Sequence, residues 1–276
     1  KNIVETAQSL PQFSILVDAV VKAGLVDALS ADGPYTVFAP TNDAFNALFD
    51  ALGVNGVEDL TADQLTPILL YHVLGAKVMA ADVTSGYVST LNTTAPGNNS
   101  VLLYADISKG GVMLNGSTNV TSADVMASNG VIHVIDNVLL PTDIVDIAIQ
   151  NSNFSILVEA VAKAGLVDAL KGDGPFTVFA PTNAAFEALF AQLGVNGIAD
   201  LTADQLTPIL LYHVVSGNVR AADVSSGMVP TLNTEAQIDI MVSDMGVKLN
   251  GSSNVIATDV QGTNGVIHVI DAVILP

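Results

Sequence analysis

The sequence predicts an α+β fold built as two tandem domains, residues 1–141 and 142–276, and two observations support this. First, the chain repeats itself. TVFAPTNDAF at residues 36–45 returns as TVFAPTNAAF at 177–186, and LLYHV at 69–73 also recurs in the second half. Second, each copy opens with helical periodicity and ends in short β-type runs. A repeat of this length corresponds to one domain per copy rather than to a solenoid unit.

The first predicted helix lies near the start of each copy. Phe13, Leu16, Val17 and Val20 have the spacing i, i+3, i+4 and i+7, which places them on one face of an amphipathic helix. Gly24 follows as a helix stop. The second copy repeats the pattern, so we expect this helix in both domains.

A strand that leads into a helix is predicted next. Residues 35–38 are β-branched or aromatic, and Pro40 ends the run. Thr41 and Asn42 are suited to cap a helix over roughly residues 43–52.

A further helix is predicted to begin at a capping box formed by Thr61 and Gln64 and to end near His72. Pro67 lies inside this segment. We expect it to kink the helix or to divide it into two.

The second half of each copy predicts antiparallel strands. Apolar runs at residues 101–107 and 112–114 precede the dipeptide Asn115-Gly116, which is the strongest short hairpin signal. A last strand is predicted over residues 131–140. Each domain is therefore expected to be a β-wedge of antiparallel strands with a helical layer.

Composition excludes several classes of function. The net charge of −19, from 27 acidic and 8 basic side chains, disfavours nucleic acid as a partner. The absence of cysteine excludes a disulfide framework and thiolate metal sites. No apolar run reaches the roughly 18–20 residues of a membrane helix. Because the chain begins at Lys1 without a leader, we expect that any signal peptide was removed or lies outside this sequence.

Three segments together resemble the fasciclin family, the FAS1 domain. They are residues 36–45, the Tyr71-His72 pair with its leucines, and GVIHVIDNVLLP at 130–141, and similar segments follow in the same order in the second copy. The resemblance implies a compact wedge of β-sheet with a helical layer. It also implies an exported, non-enzymatic protein, secreted or on a cell surface, that acts in adhesion and matrix contact. No cofactor is predicted.

The Tyr-His pairs form the first candidate site. In some animal members of the family this motif is linked to integrin-dependent adhesion, which makes Tyr71, His72, Tyr212 and His213 candidate contacts. The residues themselves favour a structural role. His72 follows Ile68 by four positions, so in a helix both share an apolar face, and we expect the imidazole to be buried and hydrogen-bonded.

A second set of candidates lies where the two copies differ. Asn92 and Asn98 begin Asn-x-Ser/Thr triplets beside or within a loop at residues 93–100 that exists in full only in the first copy. A neighbouring variable segment runs from Lys77 to Tyr87, and these two residues are further candidates. Loops on a rigid scaffold often carry specificity, so we expect the loop and this segment to contribute more to recognition than the Tyr-His motif.

Neither metal binding nor catalysis is predicted. His133 and Asp136 stand three apart on a predicted strand, so they point to opposite faces and cannot chelate one ion. The chain has no Gly-x-Ser-x-Gly elbow, no phosphate-binding glycine loop and no His-Glu-x-x-His helix.

The sequence is compatible with three functions. The first is a secreted or cell-surface binding module whose partner is extracellular matrix, a glycan or another cell-surface protein. Tandem domains gain avidity on such repetitive partners. The second is a carrier of an apolar small molecule such as a carotenoid, and the third is an undetected hydrolase.

Overall fold

A computed structural model describes residues 1–276, and the chain divides into two compact units. The first unit comprises Lys1–Thr94 and Asn98–Pro141, and the second comprises Ala95–Gly97 and Thr142–Pro276. The domain bounds 1–141 and 142–276 stay a prediction, which expression of either segment alone would test.

The first unit contains five α-helices and one sheet of seven strands in the order β2-β1-β7-β6-β5-β4-β3. The helices are α1 (Ile3–Gln8), α2 (Ser14–Lys22), α3 (Val26–Ser30), α4 (Asn42–Leu52) and α5 (Ala62–Tyr71). The strands are β1 (Tyr35–Pro40), β2 (Val73–Leu74), β3 (Gly86–Ser89), β4 (Leu102–Asp106), β5 (Met113–Leu114), β6 (Thr118–Ala127) and β7 (Gly130–Ile135). Short 3₁₀ turns lie at Pro11–Phe13, Val57–Asp59 and Ala80–Asp82, and a further one, Pro96–Asn98, includes residues assigned to both units.

The second unit repeats this topology, with the sheet order β10-β11-β12-β13-β14-β8-β9. Its helices are α6 (Ile144–Gln150), α7 (Ser155–Lys163), α8 (Val167–Leu170), α9 (Asn183–Leu193) and α10 (Ala203–Tyr212). Its strands are β8 (Phe176–Pro181), β9 (Val214–Ser216), β10 (Gly227–Pro230), β11 (Gln237–Ser243), β12 (Gly246–Leu249), β13 (Ser253–Gly262) and β14 (Gly265–Ile270). Its 3₁₀ turns are Ser152–Phe154, Ile198–Asp200 and Ala221–Asp223.

The start and stop signals of the helices act as predicted. The Thr41 side chain accepts a hydrogen bond from the Ala44 backbone and so begins α4. Thr61 and Gln64 form the reciprocal capping box of α5. Gly24 follows α2 with a φ of +70°, in the left-handed region that a residue with a Cβ atom rarely adopts.

One pair of strands departs from the expected antiparallel arrangement. β1 and β7 run parallel, from Tyr35 opposite Gly130 to Pro40 opposite Ile135, while the other five pairings of this sheet are antiparallel. Most of the domain lies between these two strands, which gives the long crossover that parallel pairing needs. The predicted α+β class is confirmed, and the sheet is mixed. The last strand also ends earlier than predicted, at Ile135 rather than at residue 140.

Of the two outcomes expected for Pro67, a kink or a division, the division does not occur, because α5 runs through Pro67 to Tyr71. Proline removes one backbone donor from the helical ladder. Leu65 and Leu69 lie on either side of Pro67 and are buried in the core, and this packing offsets the missing bond.

The helical layer covers one face of the sheet. In the first unit the core is formed by apolar side chains from α2, α4, α5 and the central strands, among them Leu16, Phe45, Leu65 and Ile132. The wedge of the other unit has its own apolar core, which includes Ile238 on β11, Leu249 on β12 and Ile270 on β14. Tyr212 belongs to this wedge core. The Tyr-His motif therefore lies where the helical layer meets the wedge.

Candidate functional site

The Tyr-His motif of the first domain lies at the end of α5, where Tyr71 is the last helical residue and His72 is the C-cap. Both side chains are inside the protein, with exposed fractions of 0% for Tyr71 and 2% for His72. Neither side chain offers an area that a partner of the folded protein can contact directly.

Tyr71 fastens the helix end to the wedge. Its hydroxyl donates to the Leu102 carbonyl at 2.9 Å and accepts from the Asn115 Nδ2 at 3.0 Å. Asn115 begins the Asn-Gly turn with a φ of +48°, and its Oδ1 accepts from the Tyr104 backbone at 3.0 Å. One tyrosine thus holds both β4 and the predicted hairpin turn.

His72 fastens the same helix end to the last segment of the domain. Its Nδ1 lies 2.8 Å from the Ile68 carbonyl, and the Leu139 backbone donates to Nε2 at 2.9 Å. These partners assign the proton to Nδ1, because Nε2 must accept. Burial lowers the pKa of His72 to about 4, and the bond to Ile68 opposes only part of that shift.

The second domain reproduces the arrangement. The Tyr212 hydroxyl donates to the Gln237 carbonyl at 2.9 Å and accepts from Asn250 at 2.9 Å. His213 lies 2.8 Å from the Ile209 carbonyl, accepts from the Ile274 backbone at 3.2 Å, and has a pKa lowered to about 4 by burial. In both copies the motif carries out the same structural task.

Replacing Tyr71 by phenylalanine is expected to lower the free energy of unfolding by about 1–3 kcal/mol. The ring would still fill its place, but the Leu102 carbonyl and the Asn115 amide would each lose a buried partner. Urea unfolding of the variant measures the effect. Tyr35→Phe, which removes a hydroxyl with a longer 3.3 Å bond near the surface, is the matched control and should cost less. Equal stability of Tyr71→Phe and the native protein would contradict this structural role.

The other two histidines are also buried and bonded to the backbone. His133 lies on β7 with Nε2 2.9 Å from the Val78 carbonyl, and its Nδ1 accepts from the Asp124 backbone at 3.2 Å. His268 repeats both bonds, and burial lowers its pKa. Asp136 lies apart from His133 and instead binds the backbone and side chain of Asn119, each at 2.8 Å. No group of three or more His, Cys, Asp or Glu side chains is placed to hold a metal ion.

The second set of candidates is not brought together into one cluster. Lys77 and Asn98 are exposed, Tyr87 is half-buried on β3, and Asn92 is fully buried. The Asn92 Nδ2 donates to the Pro67 carbonyl at 2.8 Å, while its Oδ1 accepts from the backbone and hydroxyl of Thr94. Asn92 therefore holds the loop to α5, and its amide is not free for a partner or for glycosylation.

Sequence reasoning missed one buried residue in each domain, Asn129 and Asn264. The Asn129 Oδ1 accepts from the Ile3 backbone at 2.9 Å, and its Nδ2 donates to the carbonyls of Leu29 and Ala31. A glycine follows each asparagine, which by itself indicates a turn. The distant partners could not be read from that local signal.

Each domain also contains a small apolar cavity between its first helices and its sheet. The cavity of the second domain has a volume of about 60 Å³, and that of the first about 30 Å³, with His213 and His72 among the respective lining residues. Small-molecule sites usually measure about 300–1,000 Å³. Neither cavity accommodates a carotenoid without movement of the helices.

No single helix has both the length and the apolar character needed to span a membrane. Only a pair, α6 together with Ser152–Lys163, meets those two criteria jointly, and it is bent by 104°.

Comparison with known proteins agrees with the fold and the motifs. The fasciclin domain profile matches residues 11–141 and 152–276. Protein sll1483 of Synechocystis sp. is 52% identical over 133 residues, which cover 48% of this chain and 73% of that protein. Human Periostin is 28% identical over 254 residues, which cover 91% of this chain but only 29% of Periostin.

A solved FAS1 domain pair from the insect cell adhesion molecule Fasciclin I superposes with a TM-score of 0.54 at 22% identity. The match covers 94% of this chain and 95% of that one, and it shows the same fold. The chain therefore belongs to the fasciclin family and carries two FAS1 domains in tandem.

Proposed function

We propose that this chain is a secreted or cell-surface binding module that contacts extracellular matrix, a glycan or a cell-surface protein through the outer surfaces of its FAS1 domains. The observation that carries the proposal is the burial of the shared motif. Tyr71, His72 and their counterparts are hydrogen-bonded inside each domain, which supports our proposal that surface residues carry recognition. The resemblance to a domain pair from a cell adhesion molecule supports the same function.

The negative charge of the protein also limits the chemical class of its partner. A net charge of −19 gives long-range repulsion against other strongly anionic molecules, and this repulsion weakens with salt. Neutral or basic partners are favoured over acidic ones. Among the variable candidates, Lys77 and Asn98 are exposed and Tyr87 is half-buried, so each of these side chains reaches the surface.

The test is a binding screen with labelled protein against matrix proteins, neutral and acidic polysaccharides and intact cells, with and without calcium. Saturable binding to at least one class is expected, and heat-unfolded protein serves as the control. If the folded protein binds none of these, the adhesion proposal is wrong.

Carriage of an apolar molecule is the second candidate, because a similarly placed apolar cavity occurs in both domains. It needs the first helices to open, since the volumes are too small as they stand. A visible absorption band in protein purified from its source would support it, whereas colourless protein that takes up no carotenoid would oppose it. The hydrolase alternative has less support, because the hydrogen bonds of all four histidines go to backbone atoms.

A further inference from the structure

Two tyrosines meet on the outer face of the first domain's wedge. Tyr87 on the edge strand β3 stands directly opposite Tyr104 on β4 in the antiparallel register. Their ring centroids are 4.9 Å apart and their planes are inclined by 46°. Both side chains are partly exposed, unlike Leu103 and Ala105, which lie on the other face of β4 and are buried. The pair forms an aromatic surface open to solvent.

A fixed carboxylate flanks the aromatic pair. Asp106 follows Tyr104 by two positions, so it lies on the same face of β4. Its oxygens accept from the Ser108 backbone at 2.8 Å, the Ser108 hydroxyl at 3.0 Å and the Ser85 hydroxyl at 3.3 Å. The bonds from Ser108 lower the pKa of Asp106, so it remains a hydrogen-bond acceptor near neutral pH. Partial burial, with the nearby Asp106 charge, raises the pKa of Tyr104, so its hydroxyl stays protonated.

The second domain lacks this surface although it has the same fold. Met228 on β10 stands opposite Asp239 on β11, at the positions that Tyr87 and Tyr104 occupy in the first domain. The sheet therefore forms without an aromatic pair at this place. The two tyrosines are therefore not required for the fold.

We propose that Tyr87, Tyr104 and Asp106 form a binding platform for a neutral polysaccharide. The aromatic rings offer flat apolar faces to the axial C–H groups of a pyranose ring, while the Asp106 carboxylate accepts from sugar hydroxyls. A neutral chain suits the site because the net charge of −19 and Asp106 itself repel an acidic one. This inference rests on the proposed binding function and names the partner of the first domain.

The test is electrophoresis of the full chain through native gels that contain a neutral polysaccharide. The gels contain a mixed-linkage β-glucan, a galactomannan or a xylan, with alginate as the acidic comparison. The double variant Y87M/Y104D carries the residues of the second domain, which that sheet already tolerates. Retardation by at least one neutral polysaccharide is expected, and the apparent affinity should fall at least about tenfold in the double variant. Alginate should retard neither protein.

Two further variants complete the comparison. Asn46→Glu, which introduces the residue found at Glu187 in the second domain, changes an exposed side chain on α4 and should leave retardation unchanged. The graft M228Y/D239Y/M241D, which also places a carboxylate at the position of Asp106, should create a second platform and increase retardation. Circular dichroism and thermal unfolding establish that each variant is folded.

Undiminished retardation of folded Y87M/Y104D would overturn the platform, as would the failure of every neutral polysaccharide to retard the native protein. Binding to matrix proteins or cells in the absence of any polysaccharide binding would refute this inference while leaving the proposed module intact. If the native protein binds no polysaccharide, no matrix protein and no cells, both the platform and the proposed binding module are wrong.

Discussion

Lowering the pH from 6.5 to 4 is expected to remove about 3 kcal/mol of unfolding free energy from each domain. His72 and His213 have pKa values lowered from 6.5 to about 4 because burial disfavours the charged imidazole. The unfolded chain therefore binds these protons more tightly than the folded protein does. The contribution is fully present above pH 6.5 and is lost as the pH falls towards 4, at about 1.4 kcal/mol per pH unit for each histidine.

The geometry explains why these two imidazoles resist protonation. In each, Nδ1 faces a backbone carbonyl and Nε2 accepts from a backbone amide, Leu139 for His72 and Ile274 for His213. A proton on Nε2 would place two donors against each other in the buried interior of the domain. In the second domain the pKa of His268, which burial also lowers, acts in the same direction.

The measurement is urea unfolding at several pH values between 7 and 4, with the variant H72Q/H213Q as the control. The variant starts less stable but lacks the two titrating groups, so its stability should change less over this window. A competing effect has the opposite sign, because the net charge of −19 shrinks towards the isoelectric point near 4.1 and relieves self-repulsion. Both proteins share that effect. Parallel pH profiles for the two would show that His72 and His213 are not the source of acid sensitivity.

Local signals in the sequence were sufficient where the deciding contacts are themselves local. The capping box at Thr61 and the Asn115-Gly116 turn each depend on atoms within a few residues, and the structure contains both. The burial of His72 was also predicted, because its spacing from Ile68 places both on one helix face. The Ile68 carbonyl proved to be its hydrogen-bond partner as well.

The remaining features depend on contacts between distant parts of the chain. The parallel pairing of β1 with β7 joins residues about a hundred positions apart, so no local pattern in either strand specifies it. Asn92 matches a glycosylation triplet, yet its amide is buried against Pro67. Tyr104 forms an aromatic pair only because it lies opposite Tyr87. That register could not be predicted, because a long loop separates β3 from β4 in the sequence.

Asn129 is the clearest case of a residue whose role depends on distant partners, and replacing it by alanine is expected to lower the free energy of unfolding by about 3 kcal/mol. Its side chain is buried and makes three hydrogen bonds, one to the start of α1 at Ile3 and two to the carbonyls of Leu29 and Ala31 at the end of α3. Alanine would leave these backbone groups without partners, and each buried group left unpaired costs about 1–3 kcal/mol. Because α1 would loosen and admit water to these groups, we expect the total loss of unfolding free energy to lie near the lower end of the sum of the three costs.

Urea unfolding of Asn129→Ala measures this loss, and hydrogen exchange shows where it acts. The amides of α1 and of the turn after α3 should exchange faster, whereas those of α9 in the second domain should not change. Asn137→Ala is the matched control, because Asn137 is exposed and its amide donates only to Asp136. That variant should stay within about 0.5 kcal/mol of the native protein. If Asn129→Ala were as stable as Asn137→Ala, the three bonds would not be what holds α1 and the end of α3 to the turn before β7.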